Sequence, residues 1–210
     1  MTGTAGASRG ARTGDRRLGR AGVDETALRL FAEHGVAGTS LQMIADAMGV
    51  TKAAVYYHYK TKDDLVLGVL APVFAEVRRV VERAQTQRSR SARVDTLVTG
   101  LIGIVVEQGP RYGVFNGDLY VAELASKDPW LQSAGPLVTE LLLGPDPDTA
   151  GLVTASMFFA SLTGPLRDPV LSGLPPEQLR AAMLDGAHRL LRIPRRPAGR
   201  PPGADPGESA

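Results

Sequence analysis

The chain has 210 residues, of which 43% are hydrophobic and 5% aromatic, and its formal net charge is only +2. It contains no cysteine, which excludes disulfides, thiolate metal sites and a cysteine nucleophile, and which suits a reducing cytoplasm. Because aromatic residues and alternating β-branched residues are scarce, we expect an all-α protein of about nine helices.

The two ends of the chain differ from its middle in composition. Residues 1–15 are rich in Gly, Ala, Ser, Thr and Arg and are predicted to form a disordered basic arm. No apolar block follows this Arg-rich start, so we expect no secretory signal there. No apolar run reaches the ~18 residues typical of a membrane span. Residues 194–210 are rich in Pro and Gly and are also predicted to be disordered.

The first two predicted helices lie before residue 50. The first runs from about Arg16 to His34 and ends at Gly35, because glycine commonly stops a helix. Thr39 and Gln42 have the spacing of a capping box, so a second helix should begin there. Apolar residues recur at helical spacing in both helices and can enter a core, namely Val23, Ala27, Leu30, Phe31, Leu41, Ile44, Ala45 and Met48. Gly49 then supplies a tight turn.

The remaining helices are marked by caps and by prolines. Thr51 can cap a third helix over residues 52–58, and Thr61 with Asp64 forms a capping box that opens a fourth helix through Val81 or beyond. Pro72 should kink this helix, because proline removes a backbone donor and clashes with the preceding turn. Further helices are predicted over 92–108, 112–125, 129–143, 147–164 and 176–192.

Two short helices joined at a glycine turn, followed by Lys, Tyr and His, form the pattern of a helix-turn-helix module. With Val55 facing inward, the third helix presents small and hydroxyl-bearing residues outward, namely Ala53, Ala54, Tyr56 and Tyr57. Small side chains allow close approach to base edges, and tyrosine hydroxyls can bond to bases or phosphate.

Phosphate contacts are predicted around this helix. Thr51 and Lys52 lie at its N-terminus, where backbone N–H groups favour anions. Lys60 and Lys62 follow it, and Thr39 lies at the start of the second helix, so each can reach a phosphate. Basic residues outnumber acidic ones up to Gly100, whereas six basic residues stand against ten acidic ones from Leu101 to Ile193. This distribution suits an N-terminal half that faces phosphates.

Each of these features alone has a simpler explanation. A Tyr-Tyr-His-Tyr run can be packing, capping boxes occur in helices of every kind, and His58 by itself is more often structural than functional. The combined order and spacing favours DNA binding over these explanations.

The stretch from Ala27 to Leu70 resembles the DNA-binding domain of the tetracycline-repressor (TetR) family, through the segments ALRLFAEHG, GTSLQMIADAMGV and YYHYKTKDDL. In that family the third helix reads the major groove and the start of the fourth contacts the DNA backbone. The resemblance implies DNA contacts from Thr39, Thr51, Lys52, Ala53, Ala54, Tyr56, Tyr57, His58 and Lys62. The chain departs from many relatives at Gly19 and Gly22, which weaken the first helix.

The long basic arm is a second departure from the family pattern. Its arginines either enter an adjacent minor groove or form a solvated tail, and they are Arg9, Arg12, Arg16, Arg17 and Arg20.

The resemblance also implies an organisation and a set of partners. Residues 16–62 would be the DNA-binding domain and residues 63–193 a helical domain for effector binding and dimerisation. A cytoplasmic homodimer would bind a two-fold symmetric operator in double-stranded DNA, and a small-molecule effector would release this repressor from it. A metal or other cofactor is not expected, because no cluster of His and carboxylates is present. A membrane is not an expected partner.

Residues for dimerisation and effector binding can be suggested from spacing. Two stripes suit packing on another helix, either across a dimer or inside one chain: Leu152, Ser156, Phe159 and Thr163, then Leu179, Met183, Gly186 and Leu190. Candidate pocket residues, many of which could equally be ordinary core, are Phe74, Tyr112, Phe115, Tyr120, Trp130, Met157 and Phe158. This set favours an apolar or amphipathic effector.

Two other functions are compatible with the chain. A DNA-binding regulator could lack a small-molecule effector and answer to a partner protein. A small α-helical enzyme is the other alternative, but the chain has no GxSxG, HExxH, P-loop or Gly-rich dinucleotide motif.

Overall fold

The computed structural model describes residues 19–191, so the predictions for 1–15 and 194–210, and for Arg9, Arg12, Arg16 and Arg17, lie outside the described residues. Within residues 19–191 the chain forms ten helices and no strand, which confirms the all-α prediction. The helices are α1 (Arg20–Gly38), α2 (Leu41–Met48), α3 (Lys52–His58), α4 (Lys62–Gln85), α5 (Arg90–Gly117), α6 (Leu119–Ala125), α7 (Pro129–Leu143), α8 (Thr149–Ser161), α9 (Gly164–Arg167) and α10 (Pro176–Leu190).

The start of α1 differs from the prediction. Gly19 is its N-cap, with extended backbone and no side-chain cap, so the helix begins at Arg20 rather than Arg16. Glycines at 19 and 22 explain the later start, because glycine costs a helix about 1 kcal/mol relative to alanine. Gly35 interrupts the helix with φ of +72°, a left-handed value that glycine adopts without strain, and a last turn then continues to Gly38.

The cap of α2 is Ser40 rather than Thr39, so the predicted capping role of Thr39 is wrong. The Ser40 hydroxyl accepts a hydrogen bond from the backbone N–H of Met43 at 3.1 Å. Thr39 is only 2% exposed, and its hydroxyl donates to the carbonyls of Leu30 and Gly35. The sequence offers two adjacent hydroxyl residues, and the interruption of α1 supplies buried carbonyl acceptors for the first of them.

The other local predictions near the turn are confirmed. Gly49 has φ of +67° and ends α2 in the left-handed conformation. The Thr51 hydroxyl accepts from the N–H of Ala54 and begins α3. Thr61 and Asp64 form the complete capping box of α4, with both bonds at 3.0 Å. These caps satisfy N–H groups that a helix start leaves without partners.

The prolines affect α4 and α5 differently. α4 continues through Pro72 to Gln85, and the Arg111 side chain of α5 donates to the carbonyl of Val69 at 3.2 Å. This bond lies next to the Gly68 carbonyl, whose usual helical donor is missing because Pro72 has no N–H. In α5, Gln108 leaves the helical region (φ −127°, ψ 32°) just before Pro110. The predicted gap between 108 and 112 is therefore a break inside one longer helix.

Buried side chains form two clusters, and they divide the described chain into a head (residues 19–61) and a body (residues 62–191). The head cluster joins α1, α2 and α3 to the start of α4, and it also takes in Val114, Val121 and Leu124 from the body. The body cluster lies between α4, α5, α7, α8 and α10. Because α5 and α6 contribute to the head cluster, the head is packed against the body rather than tethered to it.

One segment, Thr149–Arg167, has the length and mean hydropathy of a membrane span, contrary to the sequence expectation. The structure shows two helices there, α8 and α9, separated at Leu162–Thr163. Ala155, Phe158 and Leu162 enter the body cluster, whereas most of the segment is exposed. One such segment is weak evidence for a membrane, and its exposed apolar side chains also suit an interface between protein chains.

Candidate nucleic-acid interface

The short helix α3 is held against the head by a buried side. Val55 is fully buried and Tyr59, its C-cap, is 3% exposed, and both pack with Ile44 of α2. The left-handed turn at Gly49 brings α3 across α2 in the helix-turn-helix arrangement. The opposite side of α3 is therefore free to meet a partner.

We call this free side the recognition face. Tyr57 is its most prominent residue, with 78% of its surface exposed and its ring edge-on to His58. The Lys52 ammonium lies 5.3 Å from the ring centroid of half-buried Tyr56. The full face is Thr51, Lys52, Ala53, Ala54, Tyr56, Tyr57, His58 and Lys60. The structure thus brings together eight of the ten predicted DNA-contacting residues, leaving Thr39 and Lys62 to be placed separately.

Thr39 does not belong to the recognition face. Its hydroxyl proton is given to the Leu30 and Gly35 carbonyls inside the head, so it is not available to a phosphate. The predicted phosphate contact from Thr39 is therefore wrong in this conformation, and Ser40 is the residue at this helix start that is exposed.

The two lysines after α3 already make hydrogen bonds. Lys60 donates to the Tyr56 carbonyl at 2.9 Å, and Lys62 donates to the Ala37 carbonyl at 2.8 Å. The Lys62 ammonium also lies 4.8 Å from the ring centroid of Tyr120 in the body. A lysine has three donors, so each ammonium retains hydrogens for a phosphate.

A buried tyrosine that the sequence did not single out as a site residue links two helices of the head to α4 of the body. The Tyr59 hydroxyl donates to Asp24, and the guanidinium of Arg20 donates to the same hydroxyl at 3.0 Å. Burial, and then the bond to Asp24, raises the pKa of Tyr59 to about 12. Its ring lies against Gly68 of α4, where an added Cβ would stand 2.5 Å from a ring carbon. Tyr59 therefore connects the end of α3 to α1 and α4.

Two body residues bond to α1 and to the start of α4 at a junction that the sequence analysis missed. Asp118 caps α6 by accepting from the N–H of Tyr120 at 2.9 Å, and its other oxygen accepts from the N–H of Val36 at 2.8 Å. The Tyr120 hydroxyl donates to Asp63 at 2.6 Å, and this bond is the largest cause that raises the pKa of Tyr120 to about 12. Lys62, beneath the Tyr120 ring, completes the junction.

The predicted effector-pocket residues do not share one location. Phe115 packs edge-on to both Phe74 and Tyr112, and burial raises the pKa of Tyr112. Phe158 lines a separate cavity between α5, α8 and α10. The other three lie apart: Tyr120 at the junction, Trp130 under the Arg78 guanidinium, and Met157 at the surface.

The two predicted dimer stripes also differ in exposure. Leu152 and Ser156 of the first stripe are exposed, whereas Phe159 and Thr163 are partly buried. In the second stripe Leu179 is buried within one chain, which removes it from the predicted interface, and Met183 and Leu190 pack against the body cluster. Gly186 is partly buried beside them.

Three exposed large apolar side chains lie together on α8 instead. Leu152, Val153 and Met157 are 46%, 53% and 57% exposed. We call the exposed side of this helix the α8 face, formed by Leu152, Val153, Ser156, Met157 and Ala160. Val153 and Met157, which the predicted stripe omitted, are more exposed than Leu152.

No group of three or more His, Asp or Glu side chains placed to hold a metal occurs in residues 19–191. Within the same residues, one histidine lies beside a carboxylate from a distant element: His188 is 3.2 Å from Asp95.

Comparison with known proteins agrees with this geometry. Residues 25–69 match the family described as bacterial regulatory proteins, tetR family. The HTH-type transcriptional regulator AcrR of Shigella flexneri is 56% identical over 41 residues, which are 20% of this chain and 19% of that protein. The match thus spans about a fifth of the length of this curated relative.

Solved structures share the fold over most of the chain. SCO3833, a TetR-family member from Streptomyces coelicolor A3, has a TM-score of 0.63 and 17% identity, over 83% of this chain and 91% of that one. AibR, solved with isovaleryl coenzyme A and operator DNA, has a TM-score of 0.54 and 20% identity, over 79% and 95%. The sequence match to the tetR family of bacterial regulatory proteins thus covers residues 25–69, which include the helix-turn-helix, and the solved structures share the fold of the chain beyond it.

Proposed function

We propose that this protein is a sequence-specific DNA-binding transcriptional regulator, most simply a repressor, that acts as a cytoplasmic homodimer and leaves its operator when a small molecule binds. The observation that carries this proposal is the recognition face. Tyr57 is presented to solvent on a short helix whose other side is fully buried, inside the domain that matches the family.

The recognition face has groups for both kinds of DNA contact. Ala53 and Ala54 leave space for base edges and thymine methyl groups, and the Tyr57 hydroxyl can donate to a base or phosphate. Lys52, Lys60 and Lys62 supply cations for phosphates on either side of the groove. Base contacts would give sequence preference, whereas the lysines would set the position of the head on the duplex.

Dimerisation is supported by the α8 face. Leu152, Val153 and Met157 are 46–57% exposed, and removing this exposed part from water stabilises association, so a surface of this composition favours another apolar surface over water. A second copy of the same helix offers that surface through two-fold symmetry. The dimer would carry two recognition faces, which suits two half-sites about 34 Å apart on one side of the duplex.

Control by a small molecule is supported by the way the body holds the head. Asp118 and Tyr120 bond to Val36 and Asp63, so a shift of α5 or α6 changes the orientation of α1 and α4. AibR was solved with both a coenzyme A thioester and operator DNA. By analogy, a ligand of the body of this chain would act if its affinity differs between the DNA-competent dimer and another state.

Selection of duplexes from a random pool by the purified protein tests the proposal. We expect enrichment of a two-fold symmetric site with half-sites about one helical turn apart. The Tyr57→Ala variant, passed through the same selection, should enrich no site or a degenerate one. Failure of the wild-type protein to enrich any sequence, with binding lost at moderate salt, would contradict sequence-specific recognition.

A further inference from the structure

A cavity of about 690 Å³ lies where the head meets the body, apart from the recognition face and from the α8 face. Its walls come from α1, from the part of α5 that follows the break at Gln108, and from α9 with the loop after it. The residues that define it are Phe31, Gly35, Gly113, Asp118, Leu166 and Arg167. This cavity contains none of the aromatic residues that the sequence suggested as a pocket.

The α5 wall is glycine backbone, which is open at Gly113 and covered by Leu166 at buried Gly109. Gly109, Gly113 and Gly117 recur at four-residue spacing, so they lie on one side of the helix, and all three line the cavity. No neighbouring atom lies within 4 Å of the position where Gly113 would carry a Cβ. A ligand can therefore lie directly on the helix backbone at this point.

The lining has a clear division of chemistry. Phe31, Val114 and Leu166 are apolar, whereas Asp118 and Arg167 are charged. Both carboxylate oxygens of Asp118 already accept backbone N–H bonds. In the part of the chain that the structure describes, the exposed Arg167 guanidinium has no ion-pair or hydrogen-bond acceptor, and it reaches to within 3.6 Å of the Cβ position of Gly117.

We propose that this junction cavity binds an amphipathic carboxylate, with its apolar part between Phe31 and Leu166 and its carboxylate on Arg167. Arginine presents a planar pair of donors that matches a carboxylate, and a concave apolar site with one charged group is typical of ligand pockets. The inference that this ligand controls DNA binding rests on the proposed function, whereas the binding itself does not.

Ligand binding in the cavity would change the position of the head through contacts next to the cavity. α1 and α5 both contribute walls to the cavity, and the Asp118–Val36 hydrogen bond of 2.8 Å joins these two helices beside it. A ligand that separates the walls lengthens this bond and loosens the contact that holds α1. Because α1 packs on α2 and α3, the two recognition faces of a dimer would change their separation.

Isothermal titration calorimetry of the full chain with decanoate, decan-1-ol and decylammonium tests the cavity. We expect one decanoate per chain, and binding weaker by about tenfold or more for the alcohol, because hydrogen bonds to charged groups contribute about 1.5–3 kcal/mol. Arg167→Gln, at an exposed position, should bring decanoate binding down to the level of the alcohol. No binding of decanoate, or equal binding of all three probes, overturns the proposal.

A matched pair of glycine variants locates the site. Gly113→Leu places a side chain in the cavity and should abolish decanoate binding. Gly135→Leu makes the same substitution in α7, at another helical glycine with open space beside it, and should bind as wild type. Unchanged binding by Gly113→Leu overturns the location. If Gly113→Leu does not fold, the Arg167→Gln titration still decides the matter.

The effect of decanoate on DNA binding is measured separately from its binding to the cavity. Decanoate should weaken wild-type binding to a selected duplex and leave the binding of Gly113→Leu unchanged. If decanoate binds the cavity without changing the DNA affinity, coupling through Asp118 is refuted. If the protein selects no duplex at all, the proposed function fails while the calorimetry still reports on the cavity.

Discussion

The recognition face and the α8 face are both exposed sides of short helices, yet their chemistry is opposite. The first presents two lysines, two alanines and the hydroxyl of Tyr57, whereas the second presents Leu152, Val153 and Met157. Hydroxyl and ammonium groups match the polar edges and phosphates of DNA, and apolar side chains match only another apolar surface. Exposure alone marks a place for a partner, and the side-chain chemistry indicates which partner it is.

The two faces also depend on different supports. α3 is anchored by Val55 and by the Tyr59 contacts to Asp24, Arg20 and Gly68, so its orientation is set by the head and the first turns of α4. α8 is anchored by Ala155 and Phe158 in the body cluster. If this division is correct, substitutions on the two faces should affect DNA reading and chain association separately.

The largest effect is expected from a charge on the α8 face. Met157→Lys should convert the dimer to a monomer, because pairing two copies would bury two uncompensated ammonium groups. Affinity for a symmetric operator should then fall by about 100-fold or more, since the second half-site no longer binds in the same complex. Light scattering and DNA titration measure the two effects, and Gln132→Lys on α7 is the control with the same charge. A dimeric Met157→Lys protein would show that this face is not the interface.

A large and separate effect is expected at the recognition face. Tyr57→Ala should lower operator affinity by about tenfold while leaving non-specific DNA binding and the dimer unchanged, because a good base contact contributes about 1–3 kcal/mol of discrimination. Its thermal stability should match wild type, since the side chain is 78% exposed. Tyr57→Phe isolates the hydroxyl. An equal loss on specific and random duplexes would make Tyr57 a backbone contact instead.

The support of α3 can be tested through Gly68. In Gly68→Ala the new methyl group would stand 2.5 Å from a carbon of the Tyr59 ring, so the ring or α4 must move. We expect a loss of about 1–3 kcal/mol in the free energy of unfolding from overpacking, which exceeds the gain of about 1 kcal/mol in helix propensity. Urea unfolding measures it. Gly135→Ala, with open space beside it, should be neutral or stabilising. An equal change in unfolding free energy for Gly68→Ala and Gly135→Ala would show that the Tyr59 ring does not support α3 through Gly68.

A smaller effect is expected at the junction. Tyr120→Phe removes the donor to Asp63 and should cost about 0.5–1.5 kcal/mol of stability at pH 8. The pKa of Tyr120 is raised to about 12 in the folded chain, above the unfolded value of about 10. The stabilisation is therefore complete below pH ~10 and is lost as the pH rises toward 12. Unfolding titrations at pH 8 and pH 11 should show a difference between the two proteins that shrinks at the higher pH.

The smallest effect is expected from one phosphate contact. Lys62→Ala should weaken specific and random duplexes alike and reduce the slope of log affinity against log salt by about one. The variant also loses the contacts to Ala37 and Tyr120, so unfolding experiments must accompany the DNA titrations. An unchanged slope would mean that Lys62 serves the junction and does not reach a phosphate.

The head could be predicted from sequence because its signals are local. Gly49, Thr51 and the Thr61–Asp64 box act within four residues of the groups they satisfy, so spacing alone locates the helices. Thr39 was the exception. Its acceptors belong to α1, one of them nine residues earlier, and no local pattern distinguishes it from Ser40 as the cap.

The body could be predicted less completely because its important contacts are distant in the chain. Asp118 and Val36 are 82 residues apart, and Tyr120 and Asp63 are 57 apart, so periodicity carries no sign of them. The predicted stripe on α8 included Phe159 and Thr163, which are partly buried, and omitted Val153 and Met157, which are exposed. α8 is apolar on both sides, so spacing cannot show which side faces the core. Met157 was assigned to a pocket for the same reason.

The most direct test moves the half-sites of a selected operator. Inserting five base pairs between them, half of a helical turn, turns the second half-site to the opposite side of the duplex. If a two-fold dimer presents two recognition faces in a fixed relation, the five-base-pair insertion should lower wild-type affinity to that of a single half-site. A ten-base-pair insertion should not have the same effect as the five-base-pair insertion. Affinity unchanged by the five-base-pair insertion would contradict the central claim that pairing through the body sets the spacing of the two heads.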